Sequence, residues 1–213
     1  VASKVVWGLR IHRTILAIVV GASLAVAGVV MQALTRNPLA EPGILGVNAG
    51  ASLAVVAAIG GLGLTSVNQY LPFAFAGAAA AAVLVHVMAR RSADAGPARL
   101  VLAGVALGAS LSSITGTMTM YNSKAFDSYR FWVVGSLENR KLEVLLWVAP
   151  FLAVGLVLAL ASAHSLNALA LGDEQATALG VNLAVVRGGA FVAITLLCGA
   201  ATAAAGPISF IGL

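Results

Sequence analysis

Polar residues punctuate this chain at long intervals; they do not alternate with apolar ones. Residues 14–35 carry no charge, and Arg36 ends the run. Residues 42–89 are also uncharged but too long for one crossing of a bilayer. Gly60-Gly61-Leu62-Gly63, and Asn68-Gln69 followed by Pro72, divide them into predicted spans near 46–64 and 71–89. A fourth run covers 100–123. A fifth covers 144–172, with its helix expected to end near His164, and a sixth begins at Gly188. About 20 apolar residues cross a hydrocarbon core of roughly 30 Å as a helix. A charge at the centre of such a span costs about 2.5–3.5 kcal/mol on insertion scales, which is why the runs are clean. The pattern predicts an all-α, polytopic transmembrane bundle of six spans.

Composition agrees with that pattern. Of 213 residues, 61% are hydrophobic and 9% charged, whereas a soluble domain needs roughly 25% charged residues to solvate its surface. Small residues are frequent inside the spans, as at Gly21, Ala22, Ser23, Ala25 and Gly28, or along 78–82. Lipid tails give helices no hydrophobic reason to associate, so close backbone approach must supply the attraction. A bundle with no transport role would show the same composition. The net charge of +5 comes from Lys and Arg scattered between apolar runs, with no basic stripe, which argues against nucleic acid. Cys198 is the single cysteine and excludes an internal disulfide. The first residue is Val1 and the last, Leu213, falls inside an apolar run, so a fragment of a longer protein is the expectation.

Chemistry is sparse. No Asp, Glu, Lys or Arg falls inside a predicted span, although ion-coupled carriers place such groups or broken helices near the midplane. His86 and His164 sit near span ends, where a lone His is more often interfacial. The glycines of a nucleotide-binding loop are missing before Lys4, Lys124 and Lys141. There is no cluster with metal-ligand spacing and no nucleophile–base arrangement. Neither a metal, a cofactor nor a catalytic residue is expected, and uphill transport would draw its energy from a partner.

Three polar connections are more specific than the helices. Arg36-Asn37-Pro38-Leu39-Ala40-Glu41-Pro42-Gly43, closing with Gly46, is a turn in which two prolines deny the helix its donors. Phe126-Asp127-Ser128-Tyr129-Arg130-Phe131-Trp132-Val133-Val134-Gly135-Ser136-Leu137 sets aromatics beside charges, which suits an interfacial helix at the membrane–water boundary. In Leu169-Ala170-Leu171-Gly172-Asp173-Glu174-Gln175-Ala176-Thr177-Ala178-Leu179-Gly180, Asp173 suits an N-cap, Glu174 the positive helix end and Gly180 the stop. That predicts a helix of about two turns. Docking in a partner's groove and simple connection of two spans both fit it.

Together, six motifs in order resemble the iron-siderophore and cobalamin (FecCD-type) permease family of ABC importers. They are Arg10-Ile11-His12-Arg13, the 36–46 turn with Gln32 before it, Leu102-Ala103-Gly104-Val105-Ala106-Leu107, the 131–137 segment, the 169–180 segment, and Gly206-Pro207-Ile208-Ser209-Phe210-Ile211-Gly212-Leu213. The aromatic segment with Asp127 and Arg130 is most similar to ferric-siderophore members.

The resemblance implies a single permease domain over 1–213, equivalent to spans two to seven of a ten-span subunit in a prokaryotic inner or plasma membrane. It implies a second permease subunit, identical or homologous, two cytoplasmic ATP-binding subunits, an extracytoplasmic substrate-binding protein, and a ferric chelate as cargo within a lipid bilayer. Arg10 and Arg13 would meet the binding protein, although the family usually has proline where His12 stands. Asn37 and Leu39 would narrow the cytoplasmic exit. Gly96-Pro97-Ala98 occupies a second constriction without the small hydroxyl residues of cobalamin members, which disfavours cobalamin. Asp173, Glu174, Ala178, Leu179 and Gly180 would form the helix that couples to the ATPase. Gln32, Ser110, Ser113, Thr117 and Met120 would line the solute path, although Ser and Thr in lipid often bond back to their own helix. Arg36, Arg90, Arg91, Arg99 and Arg187 would lie inside, against Lys4, Arg10, Arg13, Lys124, Arg130, Arg140 and Lys141 outside. Five against seven gives no positive-inside bias, so the orientation comes from the resemblance. An ion-coupled carrier, a haem or cobalamin permease of the same family, and a structural membrane protein are the competing expectations.

Overall fold

A computed structural model describes residues 10–64, 66–90, 97–137 and 142–208. Lys4, Arg91, Gly96, Arg140, Lys141 and the 209–213 part of the last motif lie outside the described residues. Among the described residues eight α-helices follow in order: α1 Ile11–Thr35, α2 Val47–Leu62, α3 Val67–Arg90, α4 Pro97–Tyr121, α5 Ser123–Val133, α6 Leu142–Ala170, α7 Asp173–Ala178 and α8 Leu183–Ala205. A 3-10 turn, Pro42–Leu45, precedes α2.

Five of these helices, α1, α3, α4, α6 and α8, are long and apolar enough to cross a bilayer. The predicted second span is apolar but only 16 residues long, about 24 Å at 1.5 Å per residue. The helix after it begins at Val67 and runs through Pro72, earlier than the predicted start at 71. Pro72 lies close to the helix start, where its ring costs the ladder one bond, the one to the Asn68 carbonyl. Nor does the fifth span stop near His164. It continues to Ala170, 29 residues in all and about 43 Å, so one end projects past a 30 Å apolar slab.

The hub is α8, which packs against α1, α2, α3 and α6. Its second half is nearly all small residues, with Ala200, Ala203, Ala204 and Ala205 fully buried. Helices α2 and α3 cross at a glycine pair: a Cβ on Gly50 would stand 2.3 Å from the Gly77 carbonyl oxygen. With no side chain between them the two backbones touch, and dispersion replaces the missing hydrophobic effect. By contrast, only 11% of the most apolar stretch of α4 is buried, against 50% for α8.

Most of the aromatic segment falls in α5, a helix of 11 residues. Asn122 caps it by accepting from Ala125 N at 3.0 Å, and its amide donates toward Gly60 O at 3.4 Å. Arg130 pairs with Asp127 at 3.2 Å and lies 4.9 Å from the Phe131 ring centroid. Beyond α5, Ser136 N donates to Ala205 O at 2.8 Å, which joins this segment to the end of α8. Replacing Asn122 with alanine should lower stability by about 1 kcal/mol; Asn122→Asp should retain most of it. Thermal unfolding of the purified variants in detergent checks this, and equal loss in both would mean that the cap is not the stabilising contact.

Candidate functional site

Charged and turn-forming residues converge at the end of the bundle where α1 finishes and α8 begins. Helix α1 stops at Arg36, whose φ of +52° is left-handed and whose N–H reaches back to Gln32 O. That conformation is uncommon for a side chain larger than glycine. The following turn is closed by its own polar groups: Asn37 Oδ1 accepts from Leu39 N at 2.9 Å, and Ala40 N donates to Asn37 O at 3.1 Å. Gln32 Nε2 donates to Pro38 O at 2.7 Å, so this amide clasps the turn. Leu39 is left 69% exposed at its tip.

From the turn the chain runs back into the bundle. Ala40, Pro42, Leu45 and Val47 are buried, and the 3-10 turn touches α1, α2, α3, α4 and α8. A Cβ on Gly104 would stand 1.8 Å from Ile44 O, so the turn rests directly on the α4 backbone. Irregular backbone at membrane depth is tolerated only where protein encloses it. Depth can be gauged on α8: Asn48 Oδ1 accepts from the Thr202 hydroxyl at 2.9 Å. Thr202 lies 15 residues (202 − 187) beyond Arg187, about 22 Å along the axis. Helix α2 therefore starts well inside the bundle, which is why it is short. Glu41 goes with it, half-buried and lining a small cavity with Leu24, Asn48, Cys198 and Thr202. Glu41 lies in the turn and in none of the predicted spans, yet the turn carries it into the bundle.

Helix α7 has six residues, about 9 Å, shorter than the two turns expected. Its N-cap is Gly172 and not Asp173, which is the first helical residue. Gly172 at φ +118° and Gly180 at φ +82° flank it, conformations that L side chains rarely adopt. Ala176 is buried, whereas Glu174, Ala178 and Leu179 are exposed, Leu179 by 65%. The Asp173 carboxylate bridges two arginines: Oδ1 accepts from Arg36, and Oδ2 accepts from Arg187 on α8 at 2.5 Å. Partial burial works to raise its pKa, but the hydrogen bonds and charges of Arg187 and Arg36 outweigh it and hold the carboxyl below the ordinary aspartate value. A depressed carboxylate pKa keeps the bridge intact at neutral pH and loses it only as pH falls through that lowered value.

The model of the FecCD transport family matches residues 1–213. The chain belongs to this family. Its relatives include the ferric enterobactin transport system permease protein of Escherichia coli, 46% identical over 96% of this chain and 61% of that protein. The Fe(3+)-citrate import system permease protein of Bacillus subtilis is 44% identical over 96% of this chain and 61% of its own length. Permeases named for haemin and vitamin B12 are further relatives. A solved structure described as a metal-chelate type ABC transporter in an inward-facing conformation superposes with a TM-score of 0.85 at 28% identity, covering 99% of this chain and 67% of that one. The chain thus spans about 61% of the length of the curated relatives it matches. With its five long apolar helices, this FecCD member is a multi-pass protein of the cell membrane.

Other residues singled out in the FecCD chain lie apart from the Asp173 cluster. Arg10 and Arg13 are exposed at the opposite end of α1. Ser110, Ser113, Thr117 and Met120 do share an exposed face of α4. The three hydroxyls donate to Ala106 O, Ala109 O and Ser113 O at 2.9–3.0 Å, the back-bonding that the sequence left open. Each hydroxyl keeps its oxygen lone pairs for another donor. Sequence reasoning names Asp173 and misses its partner Arg36, which lies 137 positions away. Along the chain Arg36 reads only as a charge that ends a span.

Proposed function

We propose that the chain acts as a permease subunit of an ATP-driven importer that carries iron chelates, ferric siderophores among them, into the cytoplasm. The observation that carries this reading is α7. It is a short helix between two left-handed glycines, at the end of a 29-residue helix that is longer than the apolar slab, with Leu179 and Glu174 facing outward. In a chain without nucleotide-binding residues of its own, that is the surface a partner ATPase would grip. Asp173, Glu174, Ala178, Leu179 and Gly180 form it in this reading. Asn37 and Leu39 form the cytoplasmic constriction, because their turn is rigidly closed and projects an apolar tip. Ser110, Ser113, Thr117 and Met120 face the solute path from the least covered helix, across from a second permease subunit. Arg10 and Arg13 meet acidic residues of the extracytoplasmic substrate-binding protein. Exposed pairs of that kind contribute about 0.2–1 kcal/mol each and serve chiefly to steer and orient. Iron is favoured by the relatives named for ferric enterobactin and ferric citrate.

The test is a cysteine at Leu179 in the complete transporter. A disulfide or short cross-link should form between it and an ATP-binding subunit, and uptake of a ferric chelate should cease when ATP is depleted. A cross-link only to the substrate-binding protein would place α7 on the wrong side and end this reading. A second reading, an ion-coupled carrier, is favoured by one observation, the Glu41 carboxylate inside the bundle. It requires uptake that survives ATP depletion and collapses with the ion gradient.

A further inference from the structure

Helix α7 is joined to its neighbours through Gly172 and Gly180, so backbone continuity alone does not fix its orientation. Among the described residues, two kinds of contact hold it to the bundle: the buried Ala176, and the carboxylate of Asp173. Arg187 binds that carboxylate to α8, the next helix in the chain. Arg36 does something different, because it belongs to the opposite end of the sequence and is the last residue before the Asn37–Pro38–Leu39 turn. Its left-handed backbone places its own N–H and that of Asn37 on the same acceptor, Gln32 O, while the Gln32 amide holds Pro38 O. The Arg36 backbone, the turn and the clasp therefore form one hydrogen-bonded unit, and Asp173 holds that unit through the Arg36 side chain.

We infer that Asp173 is a positioning residue that links α7 to the Asn37–Leu39 turn through Arg36, so that displacement of α7 moves the turn. This rests on the reading of α7 as the element gripped by an ATPase, and it adds the path by which that grip reaches the opening. Charge-assisted hydrogen bonds suit such a link, since they are directional and stronger than neutral ones. Two acceptor oxygens on one carboxylate let α8 serve as the anchor while α1 follows. Exposure of the three side chains at 36–43% keeps the pairs reversible, as a moving link requires.

The experiment uses the complete transporter, with binding protein and ATP-binding subunits, reconstituted in proteoliposomes. Transport and ATP hydrolysis are measured together for Arg36→Asn, Asp173→Asn, Asp173→Glu and the double variant Arg36→Asn/Asp173→Asn. Asparagine tolerates the left-handed backbone at 36, so the turn is kept while the charge is removed. Arg36→Asn should cut solute moved per ATP at least fivefold, with ATP hydrolysis and thermal unfolding unchanged. Asp173→Asn should lower the same ratio, Asp173→Glu should restore at least half of it, and the double variant should be no worse than either single one; unchanged ATP hydrolysis is expected of Arg36→Asn, which lies outside the ATPase-facing surface. A purely structural role would lower the unfolding temperature and leave the ratio alone. Wild-type stoichiometry in Arg36→Asn, or additive losses in the double variant, overturns the inference. The two readings fail separately: loss of the Leu179 cross-link or of ATP dependence in the parent protein removes the assignment of α7, whereas an intact cross-link with an indifferent Arg36 variant removes only the link.

Discussion

Gly104→Ala should unseat the Pro42–Leu45 turn and lower the stability of the protein by about 1–3 kcal/mol, the range for forcing extra atoms into a packed interior. The added Cβ would stand 1.8 Å from the Ile44 carbonyl oxygen and 2.9 Å from its carbon. Both are backbone atoms, so no side-chain rotation relieves the clash. Helix α4 and the turn must separate, and the turn is held by five helices at once. Its displacement would pass along the chain to the Asn37–Leu39 turn, so uptake should fall along with stability. Gly108 and Gly116 lie on the same helix, and a Cβ added at either would meet nothing within 4 Å. Alanine at either should be neutral or should stabilise the helix by up to about 1 kcal/mol. Thermal unfolding in detergent compares the three directly. An unfolding temperature for Gly104→Ala equal to that of Gly108→Ala would falsify the contact between α4 and the turn.

Leu179→Asp should abolish most uptake, by more than tenfold, without destabilising the permease. The side chain is 65% exposed, and substitutions at such positions shift stability by no more than about 0.5 kcal/mol. An apolar anchor at a partner's groove is a different matter, since truncating a central contact costs on the order of 2 kcal/mol of binding or more. A carboxylate there adds a desolvation penalty. The measurement is co-purification of the ATP-binding subunits with the variant, beside its unfolding temperature and its uptake of ferric chelate. Unchanged stability with lost uptake and lost co-purification is the expected pattern. Full uptake by Leu179→Asp would remove α7 from the coupling path.

Much of the architecture is legible in the chain alone, because bilayer physics writes it into the sequence in large letters. Charge-free runs mark every long helix, and glycines mark both joints of α7. The departures have physical causes. His164 looks like an end because imidazole prefers the interface, yet α6 continues another six residues to Ala170; a helix that leaves the slab needs no polar signal at the boundary. Asp173 looks like an N-cap because its carboxylate can accept from the first turn. The two arginines occupy both its oxygens, and Gly172 takes the cap position.

By itself the sequence determined the class of protein, the helix count to within one short helix, and the polar connections in which function would be sought. Those follow from local chemistry: hydrophobic length, turn residues and the cost of a charge in lipid. Only the tertiary structure decided how the connections meet. The 36–46 turn lies on Gly104 and grips Asp173, while the 131–137 segment closes on the end of α8. Residues as far apart as Asn48 and Thr202, 154 positions along the chain, become neighbours because helices pack wherever small residues let their backbones touch, and no local pattern records which helix will be on the other side.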